Sequence, residues 1–305
     1  MTLRLLAVAA AALLFPATAG AYGWPLKPFQ RMHPLRAGFD DPRLHLRAGE
    51  AVGLFHFGID IAAPDWTPVY AVEPGRVATR ARRISVRRPN RREFGYWHVI
   101  PVVRDGVRVR LHQLLGYVAP GWGHLHFSES VAGRYRNPLR RGALAPYRDD
   151  TAPVVASVSA LRLSGTSLQG AAAAPVQSLA GTVALVADAY DLPPLAPPAP
   201  WSRARLAPAL LRWRLVTPTG ETTAWRVVVD FERLLPPAAA FWTTYAPGTY
   251  QNKPNRPGDY RFWLTRDLDT AAYPDGRYAL QVKAGDLAGH LGSAEVLLTF
   301  ANAAR

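Results

Sequence analysis

His56-Phe57-Gly58-Ile59-Asp60 is the stretch on which the reading of this sequence turns. On an extended strand, residues two and four apart share a face, so His56, Gly58 and Asp60 are expected to point the same way, the small Gly58 leaving room between two donor side chains. His124-Leu125-His126 repeats the pattern further on: both imidazoles on one face, with Leu125 and Phe127 free to pack into the other. Three N/O donors with an open fourth position describe a catalytic zinc site, whereas a closed structural site wants a fourth protein ligand. The chain has no cysteine, which excludes disulfides, thiolate ligands and a cysteine nucleophile and leaves His, Asp and Glu as candidate ligands. Of the eight histidines (His33, His45, His56, His98, His112, His124, His126 and His290), five lie between residues 56 and 126. No HExxH, G-x-S-x-G or Walker A sequence offers a competing chemistry.

Around these motifs the text is strand-like. Short β-branched or aromatic runs at 58–61, 68–72, 96–103 and 124–127 are separated by Gly, Pro and Asp-Gly signals, and no amphipathic helix stands among them. Asp105-Gly106 reads as a hairpin turn, which makes 99–103 and 107–111 expected partners. At 305 residues, 49% hydrophobic and 19% charged, the chain can bury more than one core. A boundary is expected near residues 146–153. Beyond it come Ala/Pro stretches at 171–175 and 192–200, read as loops, and strands at 183–186, 224–229 and 278–282. In the last, Tyr278, Leu280 and Val282 alternate with polar or small residues, and Pro274-Asp275-Gly276 is a turn before it. The expected layout is mainly antiparallel β, with an immunoglobulin-like β-sandwich over residues 149–305. The aromatic residues Phe241, Trp242, Tyr245, Tyr250, Tyr260, Phe262 and Trp263 are read as its core rather than as a sugar-stacking face.

The N-terminus reads as a secretory signal over residues 1–21. Arg4 is followed by eleven uninterrupted apolar residues from Leu5 to Phe15, and Ala19-Gly20-Ala21 is an A-x-A cleavage pattern that puts the mature start at Tyr22. A membrane span needs about 20 apolar residues, so no transmembrane anchor is expected after cleavage. The formal charge is +14, and only Lys27, Lys253 and Lys283 of the 36 basic residues are lysine. Eight arginines crowd residues 76–92. They could attract anionic wall polymers, but a solvated strand pair accounts for them as well. With no nucleic-acid-binding motif, no nucleic acid is expected as a partner.

The combination of motifs resembles the lysostaphin-type (LytM-like) zinc endopeptidases, the beta-lytic metallopeptidase family. His56-x-Gly58-x-Asp60 and His124-Leu125-His126-Phe127 match its two signatures; Thr67-Pro68-Val69-Tyr70-Ala71, Pro74-Gly75-Arg76-Val77 and Tyr96-Trp97-His98 match the text between them. The resemblance covers about residues 24–140 and implies a LytM-like domain over 22–148. It implies His56, Asp60 and His126 as ligands of one Zn2+ per chain, with His98 and His124 as catalytic histidines, and His98 rather than His112 in the position between the motifs. The implied activity is a secreted or cell-envelope metalloendopeptidase acting on the peptide stems or cross-bridges of peptidoglycan. The alternative is a non-catalytic LytM-like module that binds wall or regulates another enzyme. Two departures stand out: Pro120-Gly121-Trp122-Gly123 replaces a Ser/Thr-Gly-rich loop, and Glu129 sits one position late. All the residues implied in chemistry precede the boundary, so the first unit is expected to act without the second.

Overall fold

The computed structural model describes residues 20–47, 49–162 and 178–302. The signal expected in residues 1–21 falls almost wholly outside them, as does the loop expected at 171–175. No helix among the described residues is long and apolar enough to cross a membrane.

Short runs rich in β-branched and aromatic residues, broken by Gly, Pro and Asp, form the strands of the first half. These are β1 (Leu35–Ala37), β2 (Pro42–Arg47), β3 (Glu50–Phe55), β4 (Ile59–Ala62), β5 (Pro68–Tyr70), β6 (Gly75–Arg80) and β7 (Arg83–Arg87). They continue with β8 (Arg92–Trp97), β9 (Val99–Pro101), β10 (Arg108–Val109), β11 (Leu114–Val118), β12 (His124–Val131) and β13 (Arg134–Arg136). The main sheet runs β1-β4-β12-β8-β7-β6-β10, with β13 also paired to β12, and a small sheet runs β5-β11-β9. Ile59, Ile61, Leu125 and Phe127 are fully buried on one side of the main sheet. Each contributes about 1.5–3 kcal/mol by leaving water. Their strand neighbours Asp60, His124 and His126 are thereby turned to the other side. Registry does the rest: His126 on β12 lies directly opposite Asp60 on β4 and Trp97 on β8.

The hairpin expected across Asp105-Gly106 does not form. β9 pairs with β11, Val99 opposite Val118, while β10 pairs with β6. The turn itself exists, but the Asp105 carboxylate accepts from the backbone N–H of Thr79 and Gly106 N donates to Val77. Those bonds hand the second arm to the edge of the main sheet. The run expected at 96–103 is also split, because His98 has φ 64° and turns the chain between β8 and β9.

The second half contains β14 (Val154–Arg162), β15 (Thr182–Tyr190), β16 (Leu210–Val216), β17 (Arg226–Asp230), a short helix α1 (Phe241–Thr244), β18 (Arg261–Asp269), β19 (Gly276–Gly285) and β20 (Leu291–Phe300). An antiparallel sheet β14-β15-β18 faces a second, β17-β16-β19-β20, over one core. Tyr278, Leu280 and Val282 point into that core in the alternation read from the sequence, and Ala284 continues it. Phe241, Tyr245, Tyr260 and Phe262 are buried there as well and Trp263 in a small cluster beside it, while Tyr250 is half-buried and Trp242 exposed.

The two halves are packed together. Phe55, the last residue of β3, belongs to the second core, edge-on to Phe231 and Phe241. A Cβ on Gly53 would lie 2.0 Å from the Phe241 ring, so this contact requires glycine. Buried Asp41 accepts from Gly38 N and from Ala207 N, and Tyr245 donates to the Asp40 carbonyl. Of the eight clustered arginines, Arg83 and Arg87 pair with Glu93, and Arg88 and Arg92 with Glu73. Half of that basic run is thus paired, although the two carboxylates offset only two of its eight charges.

Candidate metal centre

His56 lies just beyond β3 and is held by backbone bonds on both sides: its N–H donates to the Asp41 carbonyl and its own carbonyl accepts from Asp40. The chain then bends at Gly58 before β4 begins at Ile59. His56 and Asp60 therefore converge through a bend and not through the continuous strand read from the sequence. Gly58 also serves differently from expectation. A Cβ there would lie 2.3 Å from the Phe127 carbonyl oxygen and 2.9 Å from His126 Nε2, so the glycine makes room for the His126 ring.

Three donor atoms meet at this point. His56 Nε2 is 2.8 Å from His126 Nδ1, and Asp60 Oδ1 is 3.1 Å from each. Tetrahedral zinc with bonds of about 2.1 Å would separate its ligands by roughly 3.4 Å, close to this triangle. His56 Nδ1 donates to the Gly38 carbonyl at 2.6 Å, which leaves Nε2 with its lone pair toward the triangle. The other oxygen of Asp60 accepts from Arg43 Nη2 at 2.9 Å, so Oδ1 is the oxygen left for an ion. His126 Nε2 is buried without a partner among the described residues. Two imidazoles and a carboxylate with converging lone pairs form a group that could hold a metal ion, and the donor set suits zinc.

Electrostatics point the same way. Burial lowers the pKa of His56 and of His124; it pushes His126 down to about 4, and His98, which also feels His124, down to about 3. The imidazoles are therefore neutral near pH 7 and can bind a metal without first losing protons. Burial alone would raise Asp60, but His56, His124 and Arg43 together hold it well below the usual carboxylate range.

His98 and His124 stand beside the triangle. His124 Nε2 is 3.7 Å from Asp60 Oδ1. Its Nδ1 lies 2.7 Å from the Trp122 carbonyl and 3.1 Å from Arg36 Nη1, which also donates to that carbonyl. The shorter contact assigns the proton to Nδ1 and leaves the Nε2 lone pair facing the cleft. His98 stacks on Trp122 at 3.6 Å and 12°, its centroid 4.7 Å from that of His124. The Trp122 loop is pinned by Asp65, which accepts from Gly121 N and Gly123 N. His112 lies elsewhere, stacked on Phe29 at 3.7 Å.

All five implied residues line one cleft of about 590 Å³. Sequence reasoning missed much of the rest of its wall: Arg36, Arg43 and, from the second half, Trp201, Gln251 and Asn252. Only Trp122 had a signal, as the odd residue in the departing loop. Glu129, one position late in sequence, points away from the cleft side and is buried among Tyr22, Arg92 and Arg140.

No known sequence family matches the chain, and no curated protein does. Among solved structures it is similar to a zinc-containing peptidase from Vibrio cholerae, with 25% identity over 38% of this chain and 39% of that one, at a TM-score of 0.32. It is also similar to the catalytic domain of prophage-encoded EnpA from Enterococcus faecalis, with 26% identity over 41% of this chain and 99% of that one, at 0.30. A SpoIIIAH–SpoIIQ complex matches at 17% identity over 39% of this chain and 97% of that one, at 0.32. The chain thus spans about two fifths of the length of the Vibrio peptidase.

Proposed function

We propose that this chain is a zinc metalloendopeptidase that hydrolyses peptide bonds of bacterial peptidoglycan outside the cytoplasmic membrane. The observation that carries the reading is the triangle of His56 Nε2, Asp60 Oδ1 and His126 Nδ1 at the base of an open cleft, with two further neutral imidazoles beside it. The first three would hold the ion. When bound, zinc supplies Lewis acidity that acidifies water and polarises a carbonyl. His124, with Nδ1 donating to Trp122, presents Nε2 as the proton acceptor and can return that proton to the leaving amine. His98, stacked flat on Trp122 beside the triangle, would donate to the oxygen on which charge develops. Arg43 holds the second oxygen of Asp60 and so orients the ligand carboxylate.

The test is release of soluble fragments from purified peptidoglycan, measured with and without chelator. Activity should disappear on chelation and return with zinc. His98→Ala should keep its zinc yet lose turnover by a factor of about 10²–10⁴, while His112→Ala stays near wild type. Fragment release that is indifferent to chelator would sink the reading.

A further inference from the structure

The cleft is unbalanced in charge. Its lining includes Arg36 and Arg43 but a single acid, Asp60, which is already paired with Arg43. Among the described residues Arg36 has no ion pair; with the proton on His124 Nδ1, its guanidinium makes one hydrogen bond, from Nη1 to the Trp122 carbonyl, and Nε has no partner. The guanidinium is nevertheless held in place. It lies 3.6 Å over the Trp201 ring, and Asn252 Nδ2 donates to the Arg36 backbone carbonyl at 3.0 Å. Both clamps come from the second half, which Gln251 ties further to β2 through the backbone of Leu44. A stacked, half-buried guanidinium with donors in a fixed fork matches a planar carboxylate, and a wall that limits water strengthens the pairing. A divalent ion at the triangle would add positive charge to the same cleft.

We propose that Arg36, held by Trp201 and Asn252, is a carboxylate-binding subsite, so that the cleft prefers peptides carrying a free carboxylate near the bond to be cut. This deepens the peptidase reading and rests on it for the word substrate. It also makes the second half a determinant of specificity, although no residue of that half is assigned to bond cleavage. Arg36 touches the carboxylate; Trp201 and Asn252 act through Arg36 and are positioning residues.

Calorimetry on the full chain as purified can test this with N-acetylated trialanine bearing either a free C-terminal carboxylate or a carboxamide. The carboxylate form should bind about tenfold tighter. In Arg36→Gln the two affinities should come within about twofold, and Trp201→Ala should reduce the preference part of the way while its circular dichroism matches wild type. Should Arg36→Gln fail to fold, Trp201→Ala decides the matter. Equal affinities in the wild-type chain, or a preference that survives both substitutions, would overturn the subsite. The measurement reads binding and not hydrolysis, so an inactive protein would refute the peptidase reading and leave this ratio standing. Inorganic phosphate serves as the competitor: displacement of the peptide by phosphate as effectively as by acetate would also count against a carboxylate site.

Discussion

Among the described residues, two groups of three side chains converge closely enough to hold a metal ion: His56, Asp60 and His126 in the first half, and Asp149, Asp191 and Asp286 in the second. All but Asp60 are buried, and the two sets deal with their charge in opposite ways. In the first, one carboxylate is balanced by Arg43 and accompanied by two neutral imidazoles, so its donors keep free lone pairs. In the second, the carboxylates are occupied by the chain itself. Asp286 Oδ1 accepts from the backbone N–H groups of Ala288, Gly289 and His290, and Oδ2 from the His290 ring. Asp149 accepts from Thr151 N and from its hydroxyl. Burial, with Asp149 beside it, pushes Asp191 up to about 8, so this residue carries a proton at neutral pH. Proximity of ligand-type residues is therefore a weak guide to a metal; free lone pairs and a compensated charge separate the first set from the second.

The first effect expected from this difference is selective stabilisation by zinc. Zinc added to chelated protein at a thousandfold excess over its Kd should raise stability by about 4 kcal/mol, and calcium at the same concentration should do nearly nothing. Thermal melts read both. Equal stabilisation by calcium would erase the distinction. A smaller effect is expected at Gly58: Gly58→Ala should cost about 1–3 kcal/mol by overpacking and weaken zinc binding, because the new methyl displaces His126. A zinc affinity unchanged in this variant would mean that the His126 ring has room to spare.

The second set is expected to show itself differently, as a slope with pH. Asp191 folded titrates near 8, against about 3.9 in the unfolded chain. Between those values the folded protein keeps a proton that the unfolded chain releases, so stability falls as pH rises from about 4 to about 8 and levels off above. Asp191→Asn should flatten that fall, in unfolding measured across the same range. An identical slope in the variant would contradict a protonated Asp191 in the folded chain.

That His56, Asp60 and His126 would meet was legible because its information is local. H-x-G-x-D joins its two donors across one bend within five residues, H-x-H sets both imidazoles on one side of β12, and the apolar Ile59, Ile61, Leu125 and Phe127 fix the side that Asp60 and the imidazoles take. Strands of the second half were legible for the same reason, through alternation such as that of Tyr278, Leu280 and Val282. What could not be read depends on partners distant in sequence. The Arg36–Trp201 stack joins positions 165 residues apart and leaves no periodic trace in either segment. The Asp105-Gly106 turn misled because a turn signal specifies the bend and not which strand receives each arm; Thr79 settled that through the Asp105 side chain. Nor could the packing of Phe55 and Gly53 against Phe241 of the second half be read, since it too joins positions far apart in sequence.

Zinc-edge X-ray absorption on the purified full chain, with metal content measured on the same sample, tests the central claim most directly. One zinc per chain is expected, bound by two imidazole nitrogens at about 2.0–2.1 Å and a carboxylate oxygen at about 2.0–2.2 Å, with His126→Ala reducing the content to near zero. A spectrum and stoichiometry that do not change in His126→Ala would contradict the account.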